Sequence, residues 1–191
     1  MADHRAALAR TVTEKGLVRL AEPVRLRSGV MSHDFVDVKQ ALAGGADLEL
    51  ACRAMVAAAG DLGVSFDAVG GMTMGADQFA HGIAIVAAKQ WFVVRKEPKG
   101  RGTDKRVEGA SVGPGVRALL VEDAVSLGGS IRDAYEVVTG TGATVVAAMA
   151  LVDRSDAAAP FFEQRGVPYR AILTYRDLGI EPLREGVPSP G

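Results

Sequence analysis

Cysteine is nearly missing from this sequence. Cys52 is the one thiol in 191 residues, which excludes an intrachain disulfide framework and a Cys-rich zinc centre. It sits in LELACRAMVAA, a helical pattern in which it reads as a small buried apolar residue. Histidine is also scarce, and His4, His33 and His81 are too scattered for a metal-ligand motif. Neither charge sign is in excess, with 22 Lys and Arg against 23 Asp and Glu and a net charge of −1. That balance argues against a nucleic-acid partner and against an acidic disordered chain. No apolar run approaches the ~18–20 residues that span a bilayer. The start, MADHRAALARTVTEKG, carries early charges of both signs and lacks the apolar core of a signal peptide. The expectation is a cytoplasmic protein with no membrane partner.

What is present is a core-forming chain, 48% hydrophobic, without repeats or a dividing linker. Helical spacing covers Arg5–Glu14 and Leu48–Leu62. Five short apolar segments follow at strand length: FDAVGG, WFVVR, ALLVED, TVVAAMALVD and YRAILT. Between them lie Ala-rich helical stretches, roughly Ala76–Lys89, Gly129–Thr139 and Asp156–Arg165. Strands alternating with helices predict an α/β fold with a central parallel sheet flanked by helices. Near-continuous apolar strands fit a sheet covered on both faces. In such sheets ligands bind at the carboxyl edge, and four strand ends here carry polar or glycine residues: Gly70-Gly71, Arg95-Lys96, Glu122-Asp123 and Asp153-Arg154. The tail 181–191, EPLREGVPSPG, reads as frayed.

The stretch ALLVEDAVSLGGSI, residues 118–131, poses a problem. From Ala124 to Ser130 it offers successive amides with little bulk and leads into a helix N-terminus, which suits a phosphate monoester. Ser126 and Ser130 add hydroxyl donors. Glu122 and Asp123 cannot bind the same anion. Carboxylates only accept hydrogen bonds, so vicinal sugar hydroxyls are their natural partners. The motif therefore describes a binder of ribose 5-phosphate.

RKEPKGRGTDKR, residues 95–106, holds six cations, Arg95, Lys96, Lys99, Arg101, Lys105 and Arg106, against Glu97 and Asp104. Pro98, Gly100 and Gly102 forbid a stable helix. A solvated loop is the ordinary reading of such a run. Directly after a site strand it also reads as a lid over a polyanion, which would stabilise leaving-group charge and exclude water.

These segments resemble known ones. Glu122, Asp123, Ala124, Val125, Ser126, Gly128, Gly129 and Ser130 match the 5-phosphoribosyl 1-diphosphate (PRPP) signature of type I phosphoribosyltransferases, with Leu127 departing where the family has Thr or a small residue. Arg95, Lys96, Glu97, Lys99 and Gly102 match the catalytic loop of orotate phosphoribosyltransferases, with Arg101 at the family's His. Arginine there can stabilise pyrophosphate charge but cannot act as an acid near neutral pH. LRSGVMSHDFVDVK, residues 26–39, resembles the family's segment over the base.

The resemblance implies one type I phosphoribosyltransferase domain with a small N-terminal hood: about 1–45 for hood and first helix, 46–180 for the core. It implies transfer of ribose 5-phosphate from PRPP to orotate, with Mg²⁺ carried on the phosphates and no dedicated protein metal site. Lys96, Lys99, Arg101 and Asp123 take catalytic roles. PRPP falls to Arg95, Lys96, Lys99, Arg101 and residues Glu122, Asp123, Ala124, Val125, Ser126, Leu127, Gly128, Gly129 and Ser130. Orotate falls to Arg27, Phe35, Ser126 and Arg154, the last suited to a carboxylate. Many members carry Lys in the loop matching residues 70–82; none is present here, which leaves pyrophosphate to the amides of Thr73–Ala76. A homodimer is implied by analogy. Transfer to another base, or a non-catalytic PRPP-sensing regulator, are the alternatives.

Overall fold

A computed structural model describes residues 2–26, 28–98 and 105–184. The predicted residues Arg27, Lys99 and Arg101 therefore lie outside the described residues. A helix, α1 (Ala2–Lys15), leads into an antiparallel ribbon of β1 (Leu17–Arg25) and β2 (Met31–Val36), followed by α2 (Val38–Ala41) and α3 (Gly45–Asp61). The sheet proper then alternates: β3 (Ala68–Met72), α4 (Asp77–Ala87), β4 (Gln90–Val94), β5 (Val107–Gly109), β6 (Arg117–Val125), α5 (Gly129–Gly140), β7 (Thr144–Asp153), α6 (Ala159–Glu163), β8 (Tyr169–Thr174) and α7 (Tyr175–Leu178).

The strand order is β5-β4-β3-β6-β7-β8. Five strands run parallel, as expected, but β5 pairs antiparallel with β4. The sheet is thus mixed, not wholly parallel. The cause is local: Val107–Gly109 follows β4 closely in sequence and lies antiparallel beside it.

Period-two alternation divides the core. Val69, Leu119, Val121, Ala147, Met149 and Leu151 face one layer with α1, α3 and α4. Ala68, Ala118, Leu120, Ala148 and Ala150 face the other, with α5 and the Phe162 end of α6. Small residues on the second face let α5 lie close to the sheet. Leu8 and Val12 are fully buried in the first layer, so α1 packs with the core, and the β1–β2 ribbon, which stands where the hood was expected, is a separate two-stranded sheet. Arg5 clamps α1 to α7 through a two-pronged pair with Asp177, at 3.1 and 2.8 Å.

Three expectations need correction. The segment 181–184 is not frayed: Leu183 is buried and its N–H donates to Arg154 O at 2.7 Å. Gly70 and Gly71 lie inside β3, not at its end; a Cβ on Gly71 would stand 2.1 Å from Val121 O, so glycine there lets β3 and β6 approach. Helix α6 is also shorter than predicted, running Ala159–Glu163 with Pro160 in its first turn.

Candidate active site

The strand order reverses between β3 and β6: the chain builds outward from β3 to β5, then returns to place β6 on the other side of β3. Open α/β sheets bind ligands at such a switch point. The β3–β6 ladder runs from Ala68–Ala118 to Gly70–Leu120, whereas β6 stays paired with β7 as far as Val125–Asp153. Beyond Leu120, β6 therefore has an open flank, and the acid pair lies there. The strand also runs two residues past the acids, so they are held by the sheet and not by a loop.

The turn after β3 fills part of this notch. A Cβ on Gly75 would lie 2.4 Å from Glu122 Oε1 and 2.6 Å from Asp123 Oδ1. Glycine here allows the turn to pack directly against both carboxylates. Asp123 Oδ1 accepts from Ala124 N at 2.7 Å, and Oδ2 pairs with Lys39 Nζ at 3.2 Å. Glu122 is buried, at 5% exposure. Of the amides expected to meet pyrophosphate, two are engaged internally: Thr73 N donates to Val94 O and Ala76 N to Met72 O. Met74 and Gly75 keep amides with no backbone acceptor among the described residues.

Past Val125 the chain turns through Ser126–Gly128 into α5. Gly128 adopts φ +82°, and no side chain caps the helix, whose first internal bond runs from Arg132 N to Gly128 O at 3.1 Å. The preceding amides point out of the helix end, where the macrodipole favours an anion. Ala124 is not part of this set, because its N–H is committed to Asp123. Leu127 turns away, packing against a small apolar cluster of Leu26 and Val30 in the hood turn and Leu183. Its departure from the phosphoribosyltransferase signature thus ties the phosphate-type loop to the hood.

The basic segment leaves β4 at Arg95 and returns at Arg106, and its base is closed by Arg95 N to Arg106 O at 2.7 Å. Arg106 Nε donates to Arg95 O, while its two terminal nitrogens grip Asp133 on α5 at 3.1 and 2.6 Å. Arg106 is thereby a structural cation. Arg95 leans on Glu108 at 3.8 Å and does not line the cavity, whereas Lys96 does.

Asp153 and Arg154 do not pair. Asp153 accepts from Tyr169 Oη at 2.7 Å and from Ser155 N at 2.9 Å. Burial pushes its carboxyl above the usual range, against the lowering effect of those bonds, and burial raises the Tyr169 phenol as well. Arg154 is 3% exposed and donates to Ser32 Oγ on β2 at 3.1 Å, with Nε left without a partner among the described residues. Burial lowers its pKa, opposed by the charge of Asp34.

A cavity of about 580 Å³ gathers these parts. Phe35, Lys96 and the whole 122–130 stretch line it, joined by Ser28, Lys39 and the 72–75 turn. Phe35 is 42% exposed at its edge, a surface ring and not a core residue. Arg154 lies behind the hood and outside the lining. Sequence reasoning missed Lys39, whose motif VDVKQ carries no chemical signature; it placed Gly75 among the pyrophosphate amides but not against the acids, a closeness that exists only after folding. Among the described residues no group of three His, Cys, Asp or Glu side chains could hold a metal ion.

No family model matches the chain. It is 38% identical over 187 residues to the orotate phosphoribosyltransferase of Streptomyces avermitilis, covering 95% of this chain and 100% of that protein. It is 34% identical over 180 residues to the Aquifex aeolicus orotate phosphoribosyltransferase, covering 91% and 97%. The crystal structure of Mycobacterium tuberculosis orotate phosphoribosyltransferase in complex with PRPP superposes with a TM-score of 0.76 at 34% identity, covering 93% of this chain and 99% of that one.

Proposed function

Because the chain belongs to the orotate phosphoribosyltransferase family, we propose that it transfers ribose 5-phosphate from PRPP to orotate, releasing pyrophosphate and orotidine 5′-monophosphate. The observation that supports it most is the notch itself: two fixed carboxylates beside an uncapped helix end, at the sheet's switch point. The amides of residues 126–130 take the 5-phosphate, and Glu122 and Asp123 take the ribose hydroxyls. The bond from the anomeric carbon to the pyrophosphate oxygen breaks, its electron pair leaving with pyrophosphate, as the orotate ring nitrogen, its proton already lost to solvent, bonds to that carbon. Lys96 faces the departing charge; Met74 and Gly75 amides supplement it.

Phe35 borders the base pocket. Arg154, desolvated, with Ser32 Oγ as its side-chain hydrogen-bond acceptor among the described residues, is the cation we assign to the orotate carboxylate, since burial magnifies such a contact. Two carboxylates without a third protein ligand suit a hard cation delivered on the substrate's phosphates. Mg²⁺ bound that way would neutralise pyrophosphate charge. Lys99 and Arg101, outside the described residues, are assigned to pyrophosphate by family resemblance alone. We further assign the protein to the cytoplasm and to a homodimer.

Orotate absorbance in the ultraviolet should fall when PRPP and Mg²⁺ are added, with uracil, hypoxanthine and nicotinate unreactive. Turnover of one of those bases in preference to orotate would overturn the base assignment. Arg154→Met should raise the orotate KM at least tenfold more than that of PRPP; equal losses would remove Arg154 from the base site.

A further inference from the structure

We infer that Lys39 is a positioning residue for Asp123, holding the ribose-facing carboxylate in place and offsetting its charge so that a polyanion can bind beside it. The inference rests on PRPP being the ligand. Asp123 is fixed from two directions. Ala124 N–H holds Oδ1 at 2.7 Å, a bond made by its own strand. The Lys39 ammonium holds Oδ2 at 3.2 Å from across the cavity.

Lys39 is well placed to do this because its helical turn cannot shift. Val38 and Ala41 on either side are buried, at 1% and 0% exposure. Asp37 caps the turn by accepting from Gln40 N at 3.0 Å, and its own N–H is bound to Gly16 O at 2.8 Å. A Cβ on Gly16 would come within 2.5 Å of Asp37 O, so the turn is seated directly on the end of α1. The lysine thus reaches from a rigid platform, although half of its side chain remains exposed.

The charges around the cavity give this pair its importance. Three acids line the cavity: Glu122, Asp123 and Asp133. Asp133 is already matched by Arg106. Among the described lining residues, Lys39 and Lys96 are the cations, and Lys39 is in contact with Asp123. Without it, a ligand carrying several phosphate charges would meet an Asp123 carboxylate that has lost its ammonium partner and is held by the Ala124 N–H from one side only.

The test is PRPP binding by titration calorimetry, with steady-state kinetics, on the full chain as wild type, Lys39→Met, Lys39→Arg, Asp123→Asn and the Lys39→Met/Asp123→Asn double variant. Lys39→Met should weaken PRPP binding roughly tenfold, the scale of losing one charge-assisted contact that is partly solvated. Its kcat at saturating PRPP should stay within about threefold of wild type. Lys39→Arg should recover most of the loss. In the Asp123→Asn background the Lys39→Met penalty should vanish, because the group it acts through is already neutral. An equal penalty in both backgrounds would mean that Lys39 touches the substrate directly and would overturn the inference, as would unchanged PRPP affinity in Lys39→Met. Failure of the wild type to bind PRPP is a separate result: it would sink the functional reading on which the inference stands.

Discussion

Gly75→Ala is the most incisive perturbation of the site, because it adds one carbon and no charge. Gly75 has no left-handed φ, so alanine costs nothing in backbone conformation. The whole effect is steric. The new methyl would stand 2.4 Å from Glu122 Oε1 and 2.6 Å from Asp123 Oδ1, whereas ordinary contact begins at 3.4 Å. Relief therefore demands retreats of about 1.0 and 0.8 Å, the differences between those distances. Neither backbone can supply them, since Glu122 pairs with Ala150 and Ala124 with Val152 in the β6–β7 ladder. The carboxylates must rotate instead, and Asp123 would give up its 2.7 Å bond to Ala124 N. Overpacking of this kind costs about 1–3 kcal/mol of stability. A misplacement of about 1 Å in a reacting assembly costs roughly 10²-fold in rate. We expect kcat/KM for PRPP to fall by about that factor while the protein still melts cooperatively. The assay is orotate absorbance over a PRPP series, with thermal melting as the folding control. Activity within about threefold of wild type would show that the acids do not need their observed positions, and the two-subsite account would fail.

Two other outcomes follow from the surroundings of the site. Tyr169→Phe removes the donor to a buried carboxylate and should destabilise the protein by about 1–3 kcal/mol near neutral pH, read by denaturant unfolding. Because burial holds the Asp153 pKa above its ordinary 3.8, the stability linked to this group is full below that value and is lost as pH rises through the folded-state pKa. The tyrosine bond favours the ionised form, so the penalty of Tyr169→Phe should shrink on acidification; a penalty that grew toward acid pH would refute this. Leu127→Thr restores the common family residue but unpicks the cluster with Leu26, Val30 and Leu183. Half-buried, Leu127 should cost about 1–2 kcal/mol on removal, and the orotate KM should rise more than the PRPP KM; the reverse order would place Leu127 in phosphate binding.

The legible parts of the fold are those fixed by period and composition. TVVAAMALVD and YRAILT became β7 and β8 with the predicted bounds; β7 is marked by its nearly unbroken apolar run, and the edge strand β8 by its short Ala171–Leu173 apolar centre. The hood was invisible as structure. In LVRLAEPVR only every third residue is half-buried and the rest are exposed, so no period-two alternation marks it as a strand. Strand β5 was missed for another reason: VEG is three residues long, and only its antiparallel return onto β4 makes it a strand. In the site, the acids and the glycine-rich turn could be read because their chemistry is local. Lys39, Gly75 and the Arg106–Asp133 anchor could not, since each acts on a residue between 27 and 84 positions away.

The unequal lengths of β3 and β6 explain how acids can serve beside a phosphate site. Had β3 continued alongside β6 past Leu120, the 122–123 flank would have been closed by backbone, with no room for a sugar. By stopping at Met72, β3 leaves a slot in which a glycine turn meets both acids and a lysine from α2 meets Asp123. The helix end of α5 is displaced along the chain by the length of Ser126–Gly128, so the amides and the carboxylates face different parts of one ligand. That separation is enforced by backbone, which is why the intervening side chain is free to vary. Leucine at 127 can be spent on joining the hood to the core, because the proposed phosphate contacts are main-chain and require only that glycine follow at 128 to turn the chain into the helix.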